Sequence, residues 1–66
     1  MIVKVNNKEM ELAENSSLLQ LSEQLEIPAK GAAMAVNNRM IPRTEWDSKI
    51  LQQNDQVVII KAACGG

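Results

Sequence analysis

Residues 57–60 read "VVII", four β-branched aliphatic side chains in a row, and the sequence then runs out through "KAACGG". Branching at Cβ narrows the rotamers available in a helix and suits the pleated surface of a strand. An uninterrupted apolar run, in place of an alternation, is the pattern of a strand buried on both faces beside a parallel neighbour. No other stretch limits the fold as tightly. The sequence must build a sheet with Gln56–Lys61 near its middle.

The remaining segments supply the partners. "MIVKV" alternates, with Met1, Val3 and Val5 set against Ile2 and Lys4, and "KEMEL" sets Met10 and Leu12 against Glu9 and Glu11. Asn6-Asn7 lies between them, and asparagine tolerates the left-handed turn conformation, so the two segments read as an antiparallel hairpin. Over "SSLLQLSEQLEIP" the period changes. Ser17 and Gln20 have capping-box spacing, and Leu18, Leu21 and Leu25 recur at i, i+3 and i+7 with Leu19 beside them. This predicts an amphipathic helix whose stripe covers the hairpin; Pro28 is expected to push Ile27 out of the helical region and end it. "GAAMAVNN" reads as a third strand between Gly31 and Asn37-Asn38. "RMIP" reads as a short fourth strand that lies at an edge or stops at Pro42. "TEWDSKIL" predicts a helical turn with Thr44 capping over Asp47, and "QQND" turns the chain into the last strand.

The order is strand, strand, helix, strand, short strand, strand. A helix after a hairpin makes a crossover, which gives an α+β architecture: a mixed sheet of four to five strands with one helix packed across it. That is the plan of the β-grasp fold. Residues 1–61 are expected to form this domain, and residues 62–66 a flexible C-terminal tail ending in Gly-Gly.

Composition narrows the function. A chain of 66 residues with one cysteine and no histidine has neither an internal disulfide nor a conventional structural zinc site, so no metal is expected. Seven basic against eight acidic side chains leave a net charge of −1, which argues against a nucleic-acid binder. No apolar run approaches the ~20 residues that span a bilayer, so no membrane association is expected. "MIVKVNN" lacks the pattern of a signal peptide, and one unpaired thiol fits a cytoplasmic location.

Catalytic constellations are missing as well. There is no histidine base, nucleophile motif or phosphate-binding loop. Glu9 with Glu11, and Glu23 with Glu26, read as wet faces of a strand and a helix. Trp46, the only aromatic residue, reads as packing before recognition. Cys64 is either a small residue of the tail or an exposed thiol able to attack or crosslink. The first is preferred, because Lys61 is the only nearby cation to lower its pKa. The protein is therefore expected not to be an enzyme.

Gly65-Gly66 gives the final carboxylate a support without side-chain bulk, able to thread a narrow channel in another protein. A carboxylate is a poor electrophile until an ATP-using partner converts it to an acyl-adenylate. Sulfide or a persulfide can then displace the adenylate and leave a thiocarboxylate.

The sequence resembles the bacterial sulfur carrier family of thiamin biosynthesis, which are ubiquitin-like β-grasp proteins. The likeness covers essentially the whole chain and is densest from "GAAMAVNN" onward. It rests on "AVNN", on "IPR" with Trp46 three residues after Arg43, on "NDQV" before the last strand, and on Gly65-Gly66. The resemblance implies that an E1-like, ATP-dependent enzyme adenylates Gly66 and that a sulfur-donating enzyme, a persulfide source, allows its conversion to the thiocarboxylate. It implies delivery of that sulfur to thiazole synthase. Gly65 and Cys64 would thread the partner's active site beside Gly66. ATP belongs to the activating enzyme, so no cofactor is assigned to this chain. By analogy with the fold, Val58 and Ile60 are expected to face outward and dock on partners. The sequence departs from the family at Asn54-Asp55, where a "GD" turn is commoner, and at Cys64, which is unusual for the tail. Carriers for molybdopterin or another sulfur-transfer pathway, and ubiquitin-like interaction or conjugation modules, remain as alternatives.

Overall fold

The computed structural model describes residues 1–28 and 31–61. The expected tail, with Cys64, Gly65 and Gly66, lies outside the described residues. Five strands form one sheet: β1 (Ile2–Val5), β2 (Lys8–Glu11), β3 (Ala32–Val36), β4 (Arg39–Ile41) and β5 (Gln56–Lys61). Helix α1 (Leu18–Gln24) joins β2 to β3, and a 3-10 helix, Arg43–Glu45, follows β4. The sheet order is β2-β1-β5-β3-β4, with β5 parallel to β1 and antiparallel to β3. The strand that the "VVII" run demanded does occupy the middle.

Turn chemistry sets the register. Asn6 and Asn7 have φ of 50° and 70°, and Asn37 and Asn38 have 52° and 69°. Successive positive φ values are what a two-residue hairpin turn needs to match strand twist. They place Val5 opposite Lys8 and Val36 opposite Arg39. Asn15 and Asn54 are also left-handed, so all six asparagines of the sequence occupy this region. Asparagine here does the conformational work usually left to glycine, and keeps a side chain to bond with.

The start of α1 is satisfied throughout its first turn. Ser17 Oγ accepts from Gln20 N–H at 3.1 Å while Gln20 Oε1 accepts from Ser17 N–H at 2.8 Å, completing the capping box. The N–H groups of Leu18 and Leu19 donate to the carbonyls of Lys49 and Trp46 at 2.8 and 2.9 Å. The helix end departs from expectation. Glu26 sits at φ 57°, its N–H donates to Glu23 C=O, and Ile27 N–H reaches back to Ser22 C=O at 2.8 Å. This paired closure ends the helix before Pro28 can act.

Leu18 and Leu21 are fully buried and meet Val3, Met34, Val57 and Leu51 in one cluster, with Leu25 and Leu19 packed at its margin. Each such side chain contributes roughly 1.5–3 kcal/mol by leaving water. Trp46 belongs to this core: it is 2% exposed, and its Nε1–H donates to the Ile41 carbonyl at 3.0 Å. Thr44 is not a cap. Pro42 opens the 3-10 helix by accepting from Glu45 N–H at 2.8 Å, with no side-chain cap bond, so Thr44 lies inside the turn.

One expectation about β5 is corrected. Only one face of the strand is buried: Val57 is 1% exposed, but Val58 is 43% and Ile60 51% exposed. A single seven-residue helix covers one side of the sheet, and among the described residues no element lies on the other.

Candidate functional site

The uncovered face follows from strand parity. Val3, Val5, Met34, Val36 and Val57 point to the helix, so their neighbours point away. Ala35 stands opposite both Met40 on β4 and Val58 on β5, and Ala33 stands opposite Ile60. Met40, Val58 and Ile60 thus share one apolar area across three strands, and all are among the exposed large hydrophobic residues. The two alanines keep the surface low between them. Beside Ile60 a shallow cavity of about 270 Å³ is lined by Gly31, Ala32 and Ala33.

The other half of the same face is polar. Lys4 stands opposite Glu9, and Ile2 opposite Glu11, with Lys4, Glu9, Glu11 and Gln56 all exposed. The sheet therefore offers a partner an apolar half over β3, β4 and β5 and a charged half over β1 and β2. That division gives one orientation of docking an advantage over its reverse.

Val58 and Ile60 were named from the sequence, and the structure places them together on this surface. Met40 was not named. Its signal was the alternation within "RMI", where Ile41 is buried and Met40 is 56% exposed, but only the pairing with Ala35 brings it beside Val58. Trp46 is not part of the surface. Arg43, whose guanidinium carbon lies 6.0 Å from the indole centroid, covers Trp46 on the helical side and borders a shallow depression with Leu19, Thr44 and Asp47. Among the described residues, no three acidic or thiol side chains gather to hold a metal, and no helix is long and apolar enough to cross a membrane.

The strand that carries the apolar surface also leads to Gly66. β5 is held on both sides, by β1 and β3, and its last residue, Lys61, is five positions from that glycine. Five residues reach at most about 17 Å. A partner that touches Ile60 is thus within reach of Gly66.

Comparison with known proteins places these features. The model of the ThiS family matches residues 3–66. The sulfur carrier protein ThiS of Escherichia coli (strain K12) is 33% identical over 66 residues, covering all of both chains. A crystal structure of the thiamine biosynthesis protein ThiS from Geobacter metallireducens superposes with a TM-score of 0.86 at 23% identity, covering all of both chains. A solution structure of a thiamine biosynthesis protein from the same organism gives 0.83 at 23% identity, over all of this chain and 88% of that one. These two structural likenesses establish the fold.

Proposed function

The chain belongs to the ThiS family of sulfur carriers, and from that premise we propose that it carries sulfur on Gly66 for the making of the thiazole of thiamin. It is a carrier and not a catalyst. An E1-like enzyme adenylates the Gly66 carboxylate with ATP, releasing pyrophosphate. The outer sulfur of a persulfide on the donor enzyme then attacks the acyl carbon and displaces AMP, giving an acyl disulfide. A second thiol cleaves the S–S bond, is left in a disulfide with the donor cysteine, and releases the Gly66 thiocarboxylate that is the sulfur source for thiazole synthase.

This chain's own part in the cycle is to bind and to present. Met40, Val58 and Ile60 supply the apolar contact area, and docking there supplies binding energy remote from the reacting carbonyl. β5 fixes where residues 62–66 begin, so a partner docked on the sheet face has Gly66 within five residues of a fixed point, which favours its entry into that partner's active site. Glycine at 65 and 66 allows close approach of backbone to enzyme. The observation that carries this reading is the full-length match to a sulfur carrier, every residue of each chain included.

Intact-mass measurement tests it. The protein is incubated with the activating enzyme of its own source, ATP and a sulfur donor. Exchange of one oxygen for sulfur is expected, abolished by deletion of Gly66, and addition of thiazole synthase with its substrates should return the carrier to its carboxylate mass. No mass change with an activating enzyme shown to be active would overturn the proposal. A thiocarboxylate that thiazole synthase cannot discharge would assign the carrier to a different sulfur-transfer pathway.

A further inference from the structure

β5 has an unused half-edge. Its even-numbered residues turn their backbone groups towards β3: Gln56 C=O accepts from Asn37 N–H at 2.8 Å, and Val58 and Ile60 stand opposite Ala35 and Ala33. Its odd-numbered residues turn theirs towards β1, which stops early. Lys4 N–H donates to Asp55 C=O and Asn6 N–H to Val57 C=O, both at 2.9 Å. The next rung is made by a side chain, with Asn6 Oδ1 accepting from Ile59 N–H at 2.8 Å. The chain then reverses through Asn7 into β2, and no β1 residue accompanies Ile59–Lys61. Among the described residues nothing bonds the Ile59 carbonyl or the Lys61 N–H on this side.

Those two groups make one rung of a parallel ladder. In a parallel pair, a single residue of the neighbour donates its N–H to the carbonyl of residue i and accepts, on its own carbonyl, the N–H of residue i+2. Asn6 has taken the Ile59 N–H, so an antiparallel neighbour cannot exchange both bonds with Ile59. A parallel neighbour finds both of the atoms it needs.

We propose that this lane accepts an extended main-chain segment of the activating enzyme, running parallel to β5 in the position β1 vacates. The inference rests on the carrier reading above. The recognition elements are one backbone acceptor and one backbone donor at strand spacing, which select an extended polypeptide. The lane adjoins Ile60, so a strand laid in it is continuous with contact on the Met40–Val58–Ile60 surface. It also ends at Lys61, the residue from which 62–66 lead off; pairing there fixes the direction in which the chain leaves the sheet. Asn6 and the charged Lys61 limit the open edge to this single rung, which guards it against indiscriminate pairing.

Amide hydrogen exchange on the full chain tests the lane, free and with the activating enzyme. The Lys61 amide should exchange freely in the free protein and slow at least about tenfold in the complex, the effect of one added hydrogen bond. Replacing the Lys61 N–H by an ester oxygen through semisynthesis should weaken the complex about tenfold, the same single bond, whereas Lys61→Gln should not. The same samples are read by intact mass. Sulfur incorporation with an unprotected Lys61 amide overturns the lane and leaves the carrier reading standing; absence of both overturns both. Protection of Lys61 in the free protein, lost on dilution, assigns the lane to a second copy and overturns the proposal, as does protection at every dilution, which means an occupant within the chain.

Discussion

The Asn37 side-chain amide donates to Oδ1 of Asp55 at 3.0 Å, tying the β3–β4 turn to the turn that launches β5. Both residues are engaged on their other atoms. Asn37 Oδ1 accepts from Gln56 N–H at 3.0 Å, and Asp55 Oδ2 accepts from Gln52 N–H at 2.8 Å. The carboxylate therefore closes its own turn while gripping the neighbouring hairpin, and it fixes the start of the strand that carries the exposed Val58 and Ile60.

Removing that carboxylate tests the grip. Asp55→Ala is expected to destabilise the protein by about 1–2 kcal/mol, the scale of two exposed hydrogen bonds to a charged acceptor. Asn37→Gly keeps the left-handed turn and loses only the side chain. The double mutant in urea denaturation should show a coupling of about 0.5–1 kcal/mol between the two sites. Additive single effects would mean the two turns are held independently.

Glu26 offers the opposite outcome, a stabilising change. It is the one non-glycine residue other than asparagine at positive φ among the described residues, and it closes α1. A side chain with Cβ costs about 1–2 kcal/mol in this region, partly offset on replacement by the extra chain entropy that glycine must lose. Glu26→Gly should therefore add about 0.5–1 kcal/mol and raise Tm by a few degrees. Glu26→Ala keeps the strained geometry and should change Tm little. An equal gain from alanine would trace the effect to the lost charge instead.

Local signals were legible and long-range ones were not. Ser17 and Gln20 are three residues apart and need nothing else to form their box, and the Asn-Asn pairs specify their own turns. The closure at Glu26 has no such mark, because nothing in glutamate's own preferences favours positive φ. The "VVII" run located the central strand yet misstated its burial. Branched aliphatic residues fit either a covered face or a docking face, and only the count of covering elements separates the two. The same applies to the site. Val58 and Ile60 were visible in the sequence, while Met40 joins them through a pairing of β4 with β3 and of β3 with β5 that no short window contains. Gly66 lies outside the described residues, and its proposed role rests on the chemistry of a carboxylate and on the family likeness.

Charge placed on alternate residues of β5 separates docking from folding. Ile60 is 51% exposed, so Ile60→Asp desolvates nothing in the folded protein and should leave circular dichroism and Tm near the parent values. On the carrier reading it meets the activating enzyme at a contact that a partner must dehydrate. Loss of such an anchor is worth about 2 kcal/mol or more, so thiocarboxylate formation at subsaturating enzyme should fall at least about tenfold. Met40→Asp should act in the same direction with a smaller effect, because β4 is the edge strand and farther from Gly66's point of departure. Ile59 is partly buried against the core, so Ile59→Asp one position away half-buries a charge and should lower Tm clearly below the parent value. Intact-mass time courses beside thermal melts distinguish these results. An Ile60→Asp protein that is folded and still fully activated at low enzyme would remove the sheet face from the docking site.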